Sequence, residues 1–285
     1  MYRPFLFLLA APLLLALTGC NTTVDYDRSG LEKQSAGDIA GALTDFNHAL
    51  ALNPQDADSY IDLGNAKKQI GDFNGAINDF NQAIQLDSKS WWFYLGRGEA
   101  KVLKGDVAGA IDDFNRAIDI DPNWATSYCD RGNARLVGGD PDGALADFQL
   151  ALKVNPKFAP AWNDCGRAVQ AKGDVAAAIA DYTKAIDLKP YYNSNHNIMT
   201  VGRQSDGDWS SADFAMAYSQ RGQAKQAQGA LAGAIADFDQ AIKLNPTWPP
   251  YYHLRGAAKF ANKDYDGAMA DNIQSSFLQA GFQRH

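Results

Sequence analysis

Glycine recurs along this chain at a fixed spacing, and that spacing is the strongest constraint on its fold. Five glycines lie 34 residues apart, and two more follow at the same spacing after a step of 56 residues. The longer step is one period plus an insertion of 22 residues. A fixed period of this length indicates structural repeats that stack on one another. The seven positions are Gly30, Gly64, Gly98, Gly132, Gly166, Gly222 and Gly256.

Other residue types keep the same phase as these glycines. An aromatic residue lies four positions before each glycine and an alanine twelve positions after it. A second aromatic, a second alanine and a closing proline follow in most units. In the third unit these residues are Tyr94, Ala110, Phe114, Ala117 and Pro122.

Each unit reads as two helices joined by a short turn. Residues four apart share one helix face, so the first aromatic and the glycine lie together on the first helix, helix A. The alanine, second aromatic and second alanine then form a small–large–small stripe on the second helix, helix B. The turn is Gly-Asp in five units, as at Gly105 and Asp106, because glycine ends helix A and aspartate caps helix B. Pro141 stands where a helix begins.

This pattern resembles the tetratricopeptide repeat (TPR), over roughly residues 23–192 and 215–282. The resemblance implies an all-α helix-turn-helix solenoid of about seven 34-residue repeats, wound into a right-handed superhelix with a concave surface. The terminal units depart from the pattern. Ser29 and Glu32 predict a frayed first helix that forms part of a tether, whereas Asn272 and Ser275 predict a polar cap at the other end.

Charged residues also follow the repeat. An aspartate occupies one helix B position in all seven units, and an arginine precedes the helix A glycine in four of them. We predict Arg–Asp pairs between the two helices of those four units; the alternative is solvated charges worth under about 1 kcal/mol. The aspartates are Asp45, Asp79, Asp113, Asp147, Asp181, Asp237 and Asp271, and the arginines are Arg97, Arg131, Arg221 and Arg255.

The first residues read as a targeting segment. Arg3 precedes about a dozen apolar residues, a length typical of a signal peptide and short for a membrane span. The following Leu17-Thr18-Gly19-Cys20 resembles the bacterial lipobox. That resemblance implies cleavage before Cys20 and attachment of several acyl chains there, enough to hold a soluble domain at a membrane. An ordinary secretory signal with a coincidental cysteine is the alternative.

The residue after Cys20 is Asn21. By resemblance to other lipoproteins it favours the outer membrane over the inner one. The predicted organisation is a signal peptide over 1–19, a lipidated tether over 20–22, repeats one to five over 23–192, an insertion loop over 193–214 and repeats six and seven over 215–282.

No catalytic or cofactor motif accompanies the repeat. The four histidines have no metal-site spacing, and the sequence lacks a nucleophile elbow, a phosphate loop and a CxxC pair. A net charge of −7 argues against nucleic acid as a partner. We therefore expect no enzyme, no metal and no cofactor. Cys129 and Cys165 are expected to be buried thiols, with a disulfide as the alternative.

Partners are expected in the concave groove, because TPR proteins usually bind peptides at the second, fifth and ninth positions of helix A. We call these positions slots two, five and nine; they lie six before, three before and one after the repeated glycine. Asn65 and Asn133 have amides suited to a peptide backbone, and Trp92 with Leu95 suits an apolar pocket. Ile61 and Leu95 stand where a chaperone-tail clamp needs lysine, so that subtype is not expected. The predicted groove residues are Asp58, Ile61, Asn65, Trp92, Leu95, Glu99, Thr126, Asn133, Asn163, Arg167, Met216 and Gln223, with Cys129 and Ser219 at two further slots.

The insertion is polar, and we expect it to contact a partner or simply to be tolerated; His196, Asp206 and Asp208 are a weaker metal-site alternative. Together these features predict a membrane-anchored scaffold or adaptor for envelope proteins or peptides. Alternatives are a regulatory subunit of an envelope enzyme and a self-assembling structural module.

Overall fold

The computed structural model describes residues 22–188 and 210–282, and within those ranges every regular element is a helix. Cys20, Asn21 and residues 193–209 of the predicted insertion lie outside the described residues. The described chain forms fourteen helices: α1 Thr23–Ser35, α2 Ile39–Leu52, α3 Ala57–Gln69, α4 Phe73–Leu86, α5 Trp91–Lys104, α6 Val107–Ile120, α7 Ala125–Val137, α8 Pro141–Val154, α9 Ala159–Ala171, α10 Val175–Asp187, α11 Ser211–Ala227, α12 Leu231–Leu244, α13 Pro249–Ala261 and α14 Tyr265–Phe282.

The helices pair as the 34-residue period predicts, so odd-numbered helices are A and even-numbered helices are B. The chain divides into two compact units, Met1–Asp87 and Ser88–His285. In the first compact unit, α1 packs against α2, α2 against α3 and α3 against α4, and α1 also touches α3. In the second compact unit, consecutive helices from α5 to α14 pack in the same way, and helix A touches helix A between α5 and α7, α7 and α9, and α11 and α13.

The A–B turns explain why each pair closes so tightly. Gly105 has a φ of 90°, a left-handed conformation that glycine adopts without steric cost. The Asp106 carboxylate then accepts a hydrogen bond from the Gly109 amide at 3.0 Å and caps helix B. In the last unit Lys263 takes the left-handed position, with a φ of 66°.

Close approach of the two helices depends on the helix A glycine. A Cβ atom built on Gly132 would lie 2.5 Å from Cε1 of Phe148, closer than any real contact. The Phe148 ring is fully buried, and Ala144 and Ala151 flank it on the same stripe of helix B. The small–large–small stripe therefore interlocks with helix A, as its spacing predicts.

Two expectations about the terminal units are wrong. The first helix is not frayed: α1 begins with a capping box between Thr22 and Asp25, and Gly30 lies directly over the Phe46 ring. The Ser275 hydroxyl is not a solvent-facing cap, because it is buried and donates to the Pro249 carbonyl at 3.0 Å. Asn272 is exposed.

Candidate protein-binding surface

The predicted Arg–Asp pairs are present in all four units and fix helix A to helix B. Arg131 donates from Nε and Nη2 to the two oxygens of Asp147, at 3.0 and 2.6 Å. The same two-pronged geometry joins Arg97 to Asp113, Arg221 to Asp237 and Arg255 to Asp271. Charge-assisted paired hydrogen bonds of this kind orient both side chains.

A second cation, which the sequence interpretation missed, completes each pair. Lys101 contacts the Asp113 carboxylate at 2.7 Å, and Arg135 contacts Asp147 at 2.7 Å. The signal was visible, since a basic residue follows the helix A glycine by three positions in six of seven units. These residues are Lys33, Lys67, Lys101, Arg135, Lys225 and Lys259, and all six contact the aspartate of their own unit.

The fifth unit is the exception. Cys165 and Val169 occupy its two cation positions, so Asp181 has no basic partner there. Burial, and to a lesser degree the charge of Asp174, raise the pKa of Asp181 to about 6. The repeated aspartate is therefore least well satisfied in this unit.

The two internal cysteines are buried and are not joined by a disulfide. Cys129 and Cys165 belong to one core cluster with Phe148 and Phe158. Burial raises the pKa of the Cys165 thiol to about 12, with smaller contributions from the charges of Asp181 and Asp164. Reactivity follows the thiolate fraction, so Cys165 is suited to packing.

Slot five of helix A points into the array rather than into an open groove. In the second to sixth units its residues are at most 7% exposed, which leaves too little surface for a partner to contact directly, whereas His253 of the last unit is exposed. The buried residues are Ile61, Leu95, Cys129, Asn163 and Ser219. Asn65 at slot nine is also buried, at 8%.

A polar cluster joins α7 and α9 and contains two of the predicted groove residues. The Asn133 amide donates to Asp164 at 2.9 Å, and its oxygen accepts from Arg167 at 2.8 Å. Arg167 also contacts Asp164 at 2.9 Å. Burial raises the pKa of Asp164 even though Arg167 opposes the shift. Both ends of the Asn133 amide are thus engaged within the protein, and a peptide would have to displace them.

The remaining predicted groove residues are accessible to different degrees. Asp58, Met216 and Gln223 are exposed, whereas the others are partly buried. The partly buried residues are Trp92, Glu99, Thr126, Asn133 and Arg167.

In the second repeat, burial raises the pKa of Asp62 on α3 to about 8, and repulsion from Asp27, Asp58 and Asp56 adds to the shift. This part of α1 and α3 is therefore strongly acidic.

Neither a metal site nor a membrane span is found in the described residues. Across 22–188 and 210–282, no three metal-ligating side chains come together. None of the helices in those ranges is both long and apolar enough to cross a bilayer. His196, Asp206 and Asp208 lie outside the described residues.

Comparison with known proteins agrees with the repeat architecture. Models of the tetratricopeptide repeat match residues 129–193 and 215–247, and a TPR repeat model matches residues 64–105 and 98–138. Comparison with curated protein sequences gives no match.

Several crystal structures are similar to this chain. A TPR protein from Parabacteroides merdae is 18% identical, with a TM-score of 0.64 over 90% of this chain and 93% of its own. A chain of the APC/C hetero-tetramer Cut9–Hcn1 is 15% identical, with a TM-score of 0.69 over 90% of this chain and 46% of its own. The MamA protein is 27% identical, with a TM-score of 0.50 over 59% of this chain and 92% of its own.

Proposed function

Because the chain is a tetratricopeptide-repeat protein, we propose that it is a membrane-anchored scaffold that binds other proteins at the periplasmic face of a bacterial envelope. The repeat architecture supports protein binding, and the lipobox-like Leu17-Thr18-Gly19-Cys20 supports the anchor. The outer membrane is the proposed location, on the identity of Asn21.

One observation carries the protein-binding role. Packing positions repeat almost unchanged from unit to unit, whereas the residues at slots two and nine of helix A vary widely between units. Slot two holds Asp58, Trp92, Thr126, Pro160, Met216 and Pro250, and slot nine holds Asn65, Glu99, Asn133, Arg167 and Gln223. Where these side chains are exposed, as at Asp58, Met216 and Gln223, packing does not fix their identity, so they are available to recognise a partner.

The charged residues support a binding role over catalysis. Carboxylates at functional sites usually lie in a cleft and have strongly perturbed pKa values, but structural ion pairs also recur in folded proteins. Here the aspartates at the repeated helix B position lie against basic residues in six of seven units. Their arrangement is explained by holding helix A to helix B, and we propose that the protein has no catalytic activity of its own.

Site-specific photocrosslinking in the native envelope tests the binding surface. A photoreactive residue at Met216, which is 52% exposed at slot two, should capture a distinct partner. The matched control is Lys153, which is exposed on helix B. Equal capture from both positions, or capture from Lys153 alone, would contradict binding through helix A.

Fatty-acid labelling tests the anchor separately. Cells given radiolabelled palmitate should incorporate label into the wild-type chain and not into a Cys20→Ala variant. Label in both would place the lipid elsewhere, and label in neither would sink the lipoprotein proposal while leaving the binding role intact.

A further inference from the structure

The last helix pair exposes an apolar face that nothing in the described chain covers. Tyr265, Met269, Ile273 and Phe277 are 59–73% exposed and lie four residues apart along α14. Phe260 on α13 is 63% exposed and stacks edge-on against the Tyr265 ring at 5.3 Å. We call these five residues the α14 face.

Part of the α14 face corresponds to a packing surface in the other units. At the Met269 position, every other unit has leucine or isoleucine, partly buried. Those residues are Leu43, Ile77, Ile111, Leu145, Ile179 and Ile235. Helices α2, α6, α8, α10 and α12 each pack against the helix A that follows, and α14 has no such neighbour among the described residues.

The rest of the α14 face is not inherited from the repeat. At the Ile273 position the other units have only polar residues, namely Asn47, Asn81, Asn115, Gln149, Thr183 and Asp239. At the Phe277 position they have no large apolar residue, since the series is Ala51, Gln85, Asp119, Lys153, Asp187 and Lys243. The last described unit is therefore more apolar at these two positions than the units before it.

Unlike α14, the first helix exposes charged side chains at its repeat positions. Asp25 and Glu32 of α1 are exposed at positions that are buried in all later A helices. The Asp25 position elsewhere holds serine, alanine, phenylalanine or tyrosine, and the Glu32 position holds alanine in every other unit. Stacking an apolar face on α1 would bury these carboxylates, which is costly without a compensating partner.

From this contrast we propose that two copies of the chain pair through their α14 faces in a two-fold symmetric dimer. A head-to-tail filament would place the α14 face on the charged α1, whereas two-fold pairing places it on a second α14 face. Two-fold dimers are the commonest closed assembly, because one surface patch serves both copies.

The geometry of the α14 face suits helix-on-helix packing. Residues spaced by four form a continuous ridge, and two such ridges interlock when helices cross at about 50°. With Ile273 at the two-fold axis, Phe277 of one copy meets Met269 of the other. A shallow groove lined by Phe260, Tyr265, Met269 and Ser276 is available to receive that ring.

Area and charge are both compatible with self-association. Five large side chains, each about three-fifths exposed, present roughly 500 Å² of apolar surface. Two such faces would bury about 1,000 Å², below the standard size of a stable interface and in the range of a weak, reversible one. The chain carries a net charge of −7, yet residues 272–282 contain no charged residue. Asp271 is buried against Arg255 and Lys259, so no like charges would meet across the axis.

Sedimentation equilibrium of the full-length protein in density-matched detergent tests the dimer. The wild-type chain should show a concentration-dependent monomer–dimer equilibrium. Ile273→Asp and Phe277→Lys restore the residues found at the same positions in α12, and together they should weaken dimerisation at least tenfold. Both sites are exposed, so helix content and melting temperature should stay unchanged. A wild-type chain that is monomeric at every concentration overturns the proposal.

Cysteine crosslinking in the native envelope tests the pairing mode. Ile273→Cys should oxidise to a species of twice the chain mass. Gln274→Cys, exposed on the same helix but turned away from the α14 face, should not. A product between Ile273→Cys and Glu32→Cys chains would establish head-to-tail stacking, and a product of any other mass would establish a foreign partner. Either result overturns the two-fold dimer.

The dimer goes beyond the proposed scaffold function, and the two fail independently. A chain that crosslinks through Ile273→Cys but captures nothing from Met216 keeps the dimer and loses the scaffold role. The reverse result keeps the scaffold role and loses the dimer.

Discussion

Asp147 is held by two arginines from the facing helix. Arg131 contacts both of its oxygens, at 3.0 and 2.6 Å, and Arg135 adds a third hydrogen bond at 2.7 Å. The Asp147 side chain is 1% exposed. A carboxylate so deeply buried is stable only while its cations remain in place, since an unpaired buried charge is costly.

A double-mutant cycle on this pair measures that dependence. Arg131→Leu and Asp147→Asn should each lower the free energy of unfolding by about 2 kcal/mol, because each removes a paired, charge-assisted interaction from a buried site. Arg135 still contacts Asp147 in the first variant, and Asn115 still accepts from Arg131 in the second. The double variant should lose less than the sum, with a coupling of at least about 1 kcal/mol in denaturant titrations. Strictly additive losses would mean that the pair is a solvated contact of little consequence.

Asp181 lacks the cations that its counterparts have, and Val169→Lys would supply one. Its folded pKa of about 6 lies above its ordinary value of 3.8. The folded form therefore favours the protonated acid, and stability falls as pH rises from about 4 to 6. A lysine at position 169 should lower the pKa of Asp181 and remove this loss of stability between about pH 4 and 6.

Thermal melts of the wild type and Val169→Lys at pH 4.5 and 7 check this prediction. Val169→Arg is the conservative companion, and it should act in the same direction. A lysine variant that melts lower by the same amount at both pH values would show only lost apolar packing.

Asp62→Asn should stabilise the compact unit formed by α1 to α4 at neutral pH. Burial and the neighbouring Asp27, Asp58 and Asp56 raise the pKa of Asp62 to about 8. Because this pKa is raised, the stability associated with the protonated acid is present below pH 4 and is lost as pH rises towards 8. Asparagine keeps the shape and removes the charge.

Melting temperatures from pH 4 to pH 9 are the relevant measurement for Asp62. The variant should gain over the wild type as pH rises. Asp112→Asn is a suitable control, since it lies exposed on helix B. A gain that is independent of pH would show that the carboxylate charge is not the cause.

Gly132→Ala should lower stability by about 2 kcal/mol, because its Cβ would overlap the Phe148 ring. Combining it with Phe148→Leu should recover part of the loss. At Gly138 a Cβ would make only ordinary contacts, the nearest at 3.4 Å, so Gly138→Ala is the matched control. Equal effects at the two positions in chemical denaturation would contradict close helix approach as the reason for the repeated glycine.

Much of the fold follows from the sequence, because each unit repeats the same local solution. Gly105 and Asp106 predicted a turn and a cap, and Arg131 with Asp147 predicted an ion pair; all are present. Because the units repeat, each residue can be compared with the equivalent residues of the other units, and this comparison identifies the packing positions directly.

The groove was harder to predict, because a slot number does not give the depth of a residue. Ile61 and Leu95 fall at a slot expected to face partners, yet adjacent helices cover them. The Asn133–Asp164–Arg167 cluster connects neighbouring units, but its three side chains occur together only there, so the period did not mark it. The fate of Ser29 was misjudged because a hydroxyl can replace a guanidinium: it donates to Asp45 at 2.6 Å.

The distribution of ion pairs has a mechanical consequence. Arg255 and Lys259 clamp Asp271 within the last pair, whereas Asp79 of the second pair has Lys67 alone, since Leu63 occupies the arginine position. Each pair thus has its own resistance to being pulled open. The α9–α10 pair has no cation at either position, so we expect a chain stretched between its ends to yield first there, then at α1 to α4, and last at the pairs held by two cations, such as α13 and α14. Such a chain would lengthen in steps, one helix pair at a time, while the rest stayed folded.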